Sequence, residues 1–176
     1  VNVAPISESY AVFLEKDDDL DFIDDDGSKS LASLKHKAVG DRLTDLSTDF
    51  WKSVNIWLAR YKRDGRAASN LQFFLFTTGT VSADSFLVRL LPGQPVASGD
   101  VATLTELANA ALAESRSQLI APIAMAFNEL KDPEKQDFLE RILILDGSPR
   151  IGDIPSIIRD KYMRSIRREH REFVFE

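Results

Sequence analysis

Two aspartates and a lysine lie close together in the sequence, on either side of an acidic turn. Asp19 and Asp21 precede the Asp-Asp-Asp-Gly turn at 24–27, and Ser33 and Lys35 follow it. Side chains alternate along a strand, so residues two apart share a face. In a hairpin folded about this turn, Asp21 would lie opposite Ser33. Asp19 would then lie opposite Lys35, which predicts a polar face with two carboxylates and a lysine.

Carboxylates beside a lysine can carry out phosphodiester chemistry. Carboxylate oxygens are the ligands that Mg²⁺ prefers. The metal polarises a phosphodiester oxygen and lowers the pKa of a bound water. A lysine stabilises the negative charge that develops during the reaction. The spacing is equally compatible with a solvated hairpin that holds a cross-strand Asp–Lys pair, because exposed pairs of this kind are common and stabilise little.

Three segments before residue 38 have the composition of strands. They are residues 10–16, 19–23 and 31–37. Leu20 and Phe22 alternate with acidic residues, and Leu34 follows on the next strand. We therefore expect a three-stranded antiparallel meander over residues 10–37, with an apolar face formed by these three side chains.

The hydrophobic pattern then takes a helical period. Its main apolar positions are Phe50, Val54, Trp57 and Tyr61. This spacing predicts an amphipathic helix over residues 47–61 that packs on the apolar face of the meander. The next apolar segment, 71–79, is short, aromatic-rich and closed by Thr-Thr-Gly. Such a segment is typical of a strand buried on both faces.

The second half of the chain has a helical composition. The predicted helices are residues 101–112, 119–130 and 133–145. Asp153 is expected to cap a last helix that reaches about residue 171. The expected division is an α/β core at 1–100 and a helical extension at 101–176, either packed on the core or leading to a further domain.

Composition limits the kinds of site that the chain can form. It has no cysteine and two histidines, which excludes disulfides, thiolate metal sites and a multi-histidine zinc site within one chain. The net charge of −6 argues against non-specific coating of nucleic acid but allows a local basic cleft. No secretory signal and no membrane-spanning apolar run is visible, so we expect a cytoplasmic protein without membrane contact.

One basic segment stands out in this acidic chain, between residues 159 and 171. Arg164, Arg167 and Arg168 nearly share one face of the predicted last helix. Contact with DNA phosphates is one interpretation. A solvated helix face and a protein interface are the others.

The order of these features resembles the core of PD-(D/E)XK nucleases. An Asp-bearing strand, a tight turn and a Lys-bearing strand precede a helix and a buried strand. The third strand contains Ser-Leu-Lys-His at 33–36, where the similar proteins have Gln-x-Lys-His. The helix "DFWKSVNIWLARY" and the strand "FFLFTTG" match as well. Within this group the chain resembles bacterial anti-phage double-stranded DNA endonucleases, which are associated with cyclic-oligonucleotide signalling and related multi-component defence systems.

The resemblance implies roles for individual residues. Lys35 matches the catalytic lysine. Asp21 matches the metal-binding carboxylate of the second strand, with Asp19 as its alternate. Glu15 and the backbone carbonyl of Leu34 are further expected metal ligands. His36 and Lys37 would lie near the phosphate, and Arg164, Arg167 and Arg168 are kept as expected DNA contacts.

The resemblance also implies a fold and a function. The expected fold is α/β (α+β), with a restriction-endonuclease-like core, a small mixed sheet, flanking helices and a helical region after it. The expected function is Mg²⁺- or Mn²⁺-dependent cleavage of double-stranded DNA in anti-phage defence, within an oligomer that contains other subunits or a C-terminal sensor domain. Ser33 replaces the usual Gln, Glu or Asp. The alternative is therefore an inactive nuclease-like fold that serves as a nucleic-acid-binding or assembly module.

Overall fold

The fold is a mixed α+β arrangement, as expected, built on one five-stranded sheet. In the computed structural model the described residues are 11–14, 19–23, 28–94 and 102–153, and for the first two ranges only the backbone is described. The main strands in chain order are β1 (Ala11–Leu14), β2 (Asp19–Ile23), β3 (Lys29–Lys35), β5 (Leu71–Thr77) and β7 (Ile142–Leu145). Two short strands, β4 (Arg42–Leu43) and β6 (Thr80–Val81), form a separate pair.

The sheet combines an antiparallel half and a parallel half. Its strand order is β1-β2-β3-β5-β7. The first three strands form the predicted antiparallel meander. β5 runs parallel to β3, and β7 runs parallel to β5. The carboxyl ends of β3, β5 and β7 therefore lie at one edge of the sheet.

Four α-helices in the described ranges accompany the sheet. They are α1 (Thr48–Arg63), α2 (Leu104–Glu114), α3 (Ala121–Asn128) and α4 (Asp132–Glu140). Short 3₁₀ helices lie at Arg66–Ala68, Phe86–Leu90 and Ile151–Asp153. The predicted helix at 47–61 is confirmed as α1, and its four main apolar positions are fully buried. The expected last helix lies outside the described residues.

Helix α1 covers a different face of the sheet from the one predicted. Trp57 stacks on Phe73 with a centroid distance of 5.5 Å, and Ser53 of α1 reaches Ser33 of β3. Leu34 lies on the opposite face and is 45% exposed. The prediction that α1 packs on the Leu34 face is therefore wrong. The β3 residue that faces α1 is Ser33. Its hydroxyl can be buried there because α1 supplies a hydrogen-bond partner.

The third predicted helix of the second half is also partly wrong. α4 ends at Glu140, and residues 142–145 form strand β7. The run Ile-Leu-Ile-Leu is too short to distinguish a strand from a buried helix by periodicity. The hydrogen bond from the Phe73 amide to the Arg141 carbonyl (2.9 Å) begins the pairing that fixes it as a strand.

The second face of β5 is less covered than predicted. Its alternate residues Leu71, Phe73, Leu75 and Thr77 are buried, but Phe74 and Phe76 are half-buried and Gln72 is exposed. β5 is thus fully buried on the α1 side alone.

Candidate functional site

The sequence-predicted residues Lys35, His36 and Lys37 lie at the carboxyl edge, defined here as residues 35–37, 77–79 and 145–150. Lys35 pairs with Thr77, and Phe76 pairs with Leu145, so the three parallel strands end together. Ligands of open α/β sheets bind at the carboxyl ends of parallel strands. The carboxyl edge is therefore the candidate functional site.

Three hydrogen bonds from the segment after β7 fasten this edge. The amide of Gly147 donates to the carbonyl of Gly79, and the amide of Ser148 donates to the carbonyl of Thr77, both at 2.8 Å. The carboxylate of Asp146 accepts from the amide of Val81 at 2.8 Å. The carboxylate of Asp146 therefore holds the backbone next to this edge in place.

Lys35 is half-buried and has no partner in the described part of the chain. No hydrogen bond or ion pair there involves its ammonium group, although nearby cations are engaged. The partner of this ammonium group is therefore either a side chain outside the described ranges, such as Asp19, or solvent.

The register of β2 and β3 corrects the predicted hairpin alignment. Asp19 pairs with Ser33, and Asp21 pairs with Leu31. Both aspartates are thus displaced by two residues from the predicted partners, which keeps the parity and changes the distances. Asp19 lies opposite a residue two positions from Lys35, whereas Asp21 lies roughly 7 Å further along the strand. Asp19 is therefore the aspartate whose backbone position is nearer to Lys35.

Ser33 is fully buried beneath α1. Its Oγ lies 2.8 Å from Oγ of Ser53, and Oγ of Ser53 also lies 3.1 Å from the carbonyl of Asp49. The hydroxyl of Ser53 donates to Oγ of Ser33, and the carbonyl of Asp49 is the second acceptor within reach of the same proton. The hydroxyl of Ser33 is thus used in packing α1 against the sheet.

Lys37 is held by its side chain and by its peptide groups. Its ammonium forms an ion pair with Asp49 of α1 at 2.6 Å. Its amide donates to Oγ1 of Thr78 at 2.8 Å, and its carbonyl accepts from the same hydroxyl at 3.0 Å. The ion pair offsets the charge of Lys37, whose contact with phosphate stays a prediction.

Arg150 is a member of this edge that the sequence analysis missed. Its Nη2 donates to the carbonyl of Lys37 at 2.8 Å, and its Nη1 lies 3.5 Å from Nε2 of His36. A signal for it was present, because the Asp-Gly-Ser-Pro break directly precedes Arg150. Without recognition of β7 as a strand, that break could not be placed beside β3.

The oxygen donors at this site fit a hard divalent cation in type. Asp19 and Asp21 would supply carboxylates, and Leu34 would supply a backbone carbonyl one residue before Lys35. Among the described side chains no cluster of three or more His, Asp or Glu could hold a metal ion. The side chains of both aspartates, and Glu15, Arg164, Arg167 and Arg168, lie outside the described residues, so their roles stay predictions.

The chain has a weak structural likeness to a known protein. No protein-family model matches this chain, and no curated protein matches it. Among solved structures, the chain is similar to a Moraxella osloensis Cap4 receptor that contains a SAVED/CARF domain. The TM-score is 0.41 and the identity 16%, over 89% of this chain and 33% of the receptor chain. A likeness of this strength does not establish a shared fold.

The helices are short or polar. In the described ranges, none of them is long and apolar enough to cross a bilayer.

Proposed function

We propose that this chain is a nuclease-like domain that binds double-stranded DNA at the carboxyl edge and hydrolyses a phosphodiester bond with Mg²⁺ or Mn²⁺. The observation that carries the proposal is Lys35, half-buried and without a partner in the described structure, at the end of β3. The sequence resemblance supports a setting in bacterial anti-phage defence, in the cytoplasm, as part of an oligomer with other subunits.

The residues at the edge and the two aspartates of β2 would have different roles in the reaction. Asp19 and Asp21 would hold the cation, which supplies a polarised phosphoryl oxygen and a more acidic water when bound. Lys35 would stabilise the negative charge on the phosphate. His36 and Arg150, adjacent at 3.5 Å, would contact the DNA backbone.

The experiment is a cleavage assay of full-length protein on duplex DNA, with and without Mg²⁺. Lys35→Ala should lower the cleavage rate by about 10²–10³-fold, the usual effect of losing one group that stabilises transition-state charge. Lys52→Ala is the matched control, because Lys52 is an exposed lysine of α1. Full activity of Lys35→Ala, or equal losses in both variants, would contradict the assignment.

A second assay separates metal binding from cleavage. Asp19→Asn should abolish Mg²⁺ binding measured by calorimetry, because it removes the charge and nearly keeps the shape. Asp21→Asn should weaken binding less, since its backbone lies further from Lys35. Equal effects would contradict the register argument.

A second function is favoured by one specific observation, the burial of Ser33 against Ser53. A residue engaged in packing cannot act as the ligand that the similar nucleases carry at this position. The chain would then be an inactive nuclease-like module that binds nucleic acid or assembles partners. Tight binding of duplex DNA that depends on Lys35, with no cleavage under any divalent metal, would support this function over the first.

A further inference from the structure

One hydroxyl group forms hydrogen bonds with both the amide and the carbonyl of Lys37. Oγ1 of Thr78 accepts from the amide of Lys37 and donates to its carbonyl, across 41 positions of sequence. The amide of Thr78 also donates to the carbonyl of Lys35 at 3.2 Å. A side chain that pairs with both peptide groups of one residue replaces the next pair of a strand ladder. The hydrogen bonding between these two segments therefore continues after β3 has ended.

The neighbouring glycine allows this close approach. A Cβ on Gly79 would lie 3.0 Å from the carbonyl oxygen of Asp41 and from Cγ of Lys37. Such contacts are too short for a backbone oxygen to tolerate without a shift. Thr78 and Gly79 thus pack directly against residues 37 and 41.

We infer that Thr78 is a positioning residue for Lys35, acting through the peptide of Lys37. This inference rests on the proposed function, because it assigns Lys35 the task of meeting the phosphate. Lys35 has no side-chain partner in the described ranges, and Thr78 fixes the backbone that directly follows it. Thr78 binds the carbonyl of Lys35 and both peptide groups of Lys37.

The test compares three variants of the full-length protein. Thr78→Val keeps the shape and removes the hydroxyl, whereas Thr78→Ser keeps the hydroxyl. Thr80→Val is the matched control, an exposed threonine two residues away. The first readout is amide hydrogen exchange at Lys37, which needs neither DNA nor metal. Exchange should accelerate in Thr78→Val alone.

The second readout is steady-state cleavage of duplex DNA. Thr78→Val should lower kcat on the order of 10- to 100-fold, the cost of a small misplacement of a catalytic group, with KM nearly unchanged. Thr78→Ser should cleave at the rate of the original protein. A purely structural role would instead lower the amount of folded protein and leave kcat per folded molecule unchanged.

The outcomes separate this inference from the proposed function. If Lys35→Ala abolishes cleavage and Thr78→Val equals Thr80→Val in both readouts, the positioning role is refuted and the proposed function stands. If the original protein cleaves no DNA, the cleavage proposal fails. The role of Thr78 is then decided by Lys37 exchange and by Lys35-dependent DNA affinity, both of which should change in Thr78→Val and recover in Thr78→Ser. No change in either would refute it.

Discussion

A buried serine occupies position 33, for which the sequence resemblance predicts a metal ligand in an active nuclease. Ser33 is fully buried, and its hydroxyl meets Ser53 at 2.8 Å. A longer acidic side chain at this position would have to displace Ser53 or remain ionised inside the core. The site therefore cannot be rebuilt by restoring the residue type alone.

Ser33→Glu is expected to destabilise the protein by about 3 kcal/mol or more, because it places a carboxylate at a fully buried position beneath α1. The measurement is denaturant unfolding of the full-length protein in the absence of divalent metal. The same measurement with Mg²⁺ is informative. Recovery of stability with metal would show that the glutamate reaches a cation, contrary to the packing argument.

The matched control for Ser33→Glu is a double-mutant cycle over Ser33→Ala and Ser53→Ala. Each single change removes one hydroxyl from a hydrogen-bonded buried pair and should cost about 1 kcal/mol. The double variant should cost less than the sum of the two, since the pair acts as a unit. Strict additivity would mean that the two hydroxyls are independent.

At the scale of residues, the sequence placed Lys35 on the third strand but did not predict the groups that surround it. The strand could be predicted because its pattern is local, and the role of Lys35 stays a prediction. Thr78 and Arg150 contact Lys37 across 41 and 113 positions, and these contacts depend on parallel pairing of β3, β5 and β7. Local sequence patterns do not determine which distant strands pair.

At the scale of elements, helices α1 and α4 are joined by a network of polar side chains. The hydroxyl of Tyr61 donates to Asp137 at 2.7 Å, and Nε of Arg141 donates to the same carboxylate at 2.9 Å. Burial alone would raise the pKa of Asp137, but the hydrogen bonds from Arg141 and Tyr61 outweigh it and lower that pKa below the ordinary value. Asp137 therefore favours the folded state most when it is ionised.

This pKa shift predicts a specific acid sensitivity. A carboxyl whose pKa is lower in the folded state stabilises the protein above its unfolded pKa of about 3.9, and this stabilisation is lost as the pH falls through the folded value. Asp137→Asn should therefore flatten the loss of stability below about pH 4. Glu140→Gln, an exposed change on the same helix, is the control. Parallel pH profiles for Asp137→Asn and the original protein would contradict this account.

Strand β7 shows why part of the element order could not be predicted. Helix α1 has a regular apolar period over four turns, and the sequence predicted it closely. β7 has four residues and follows α4 after a single residue, Arg141, without glycine or proline between them. Residues 142–145 form a strand because they pair with β5, and the local sequence does not indicate that pairing.

The strand assignment predicts a large effect at Ile144. Ile144 is 0% exposed in β7, and Ile144→Ala should destabilise the protein by about 2–5 kcal/mol, the usual cost of a large cavity in a packed core. Ile56→Ala is the control, because Ile56 is 39% exposed on α1. Chemical denaturation measures both. Similar small costs would mean that β7 is not part of the core.

At the scale of the molecule, one hydrophobic core includes residues on both sides of position 100. Phe138 lies with its ring centroid 5.3 Å from Phe73 and 5.3 Å from Tyr61. Phe127 and Ile144 are also fully buried in the same cluster. The described residues after position 102 thus complete the packing of α1 and the sheet.

The shared core predicts that residues 1–100 do not fold alone. Removing Phe127, Phe138 and Ile144 forfeits roughly 1.5–3 kcal/mol for each buried side chain and exposes their partners. Three such losses approach the whole stability of an ordinary domain, about 5–15 kcal/mol. A fragment of residues 1–100 should lack a cooperative unfolding transition by circular dichroism, and adding a fragment of residues 101–176 should restore one, because the two halves bury a common surface. A fragment 1–100 that unfolds cooperatively at the midpoint of the full chain would show instead that the α/β core is an independent domain.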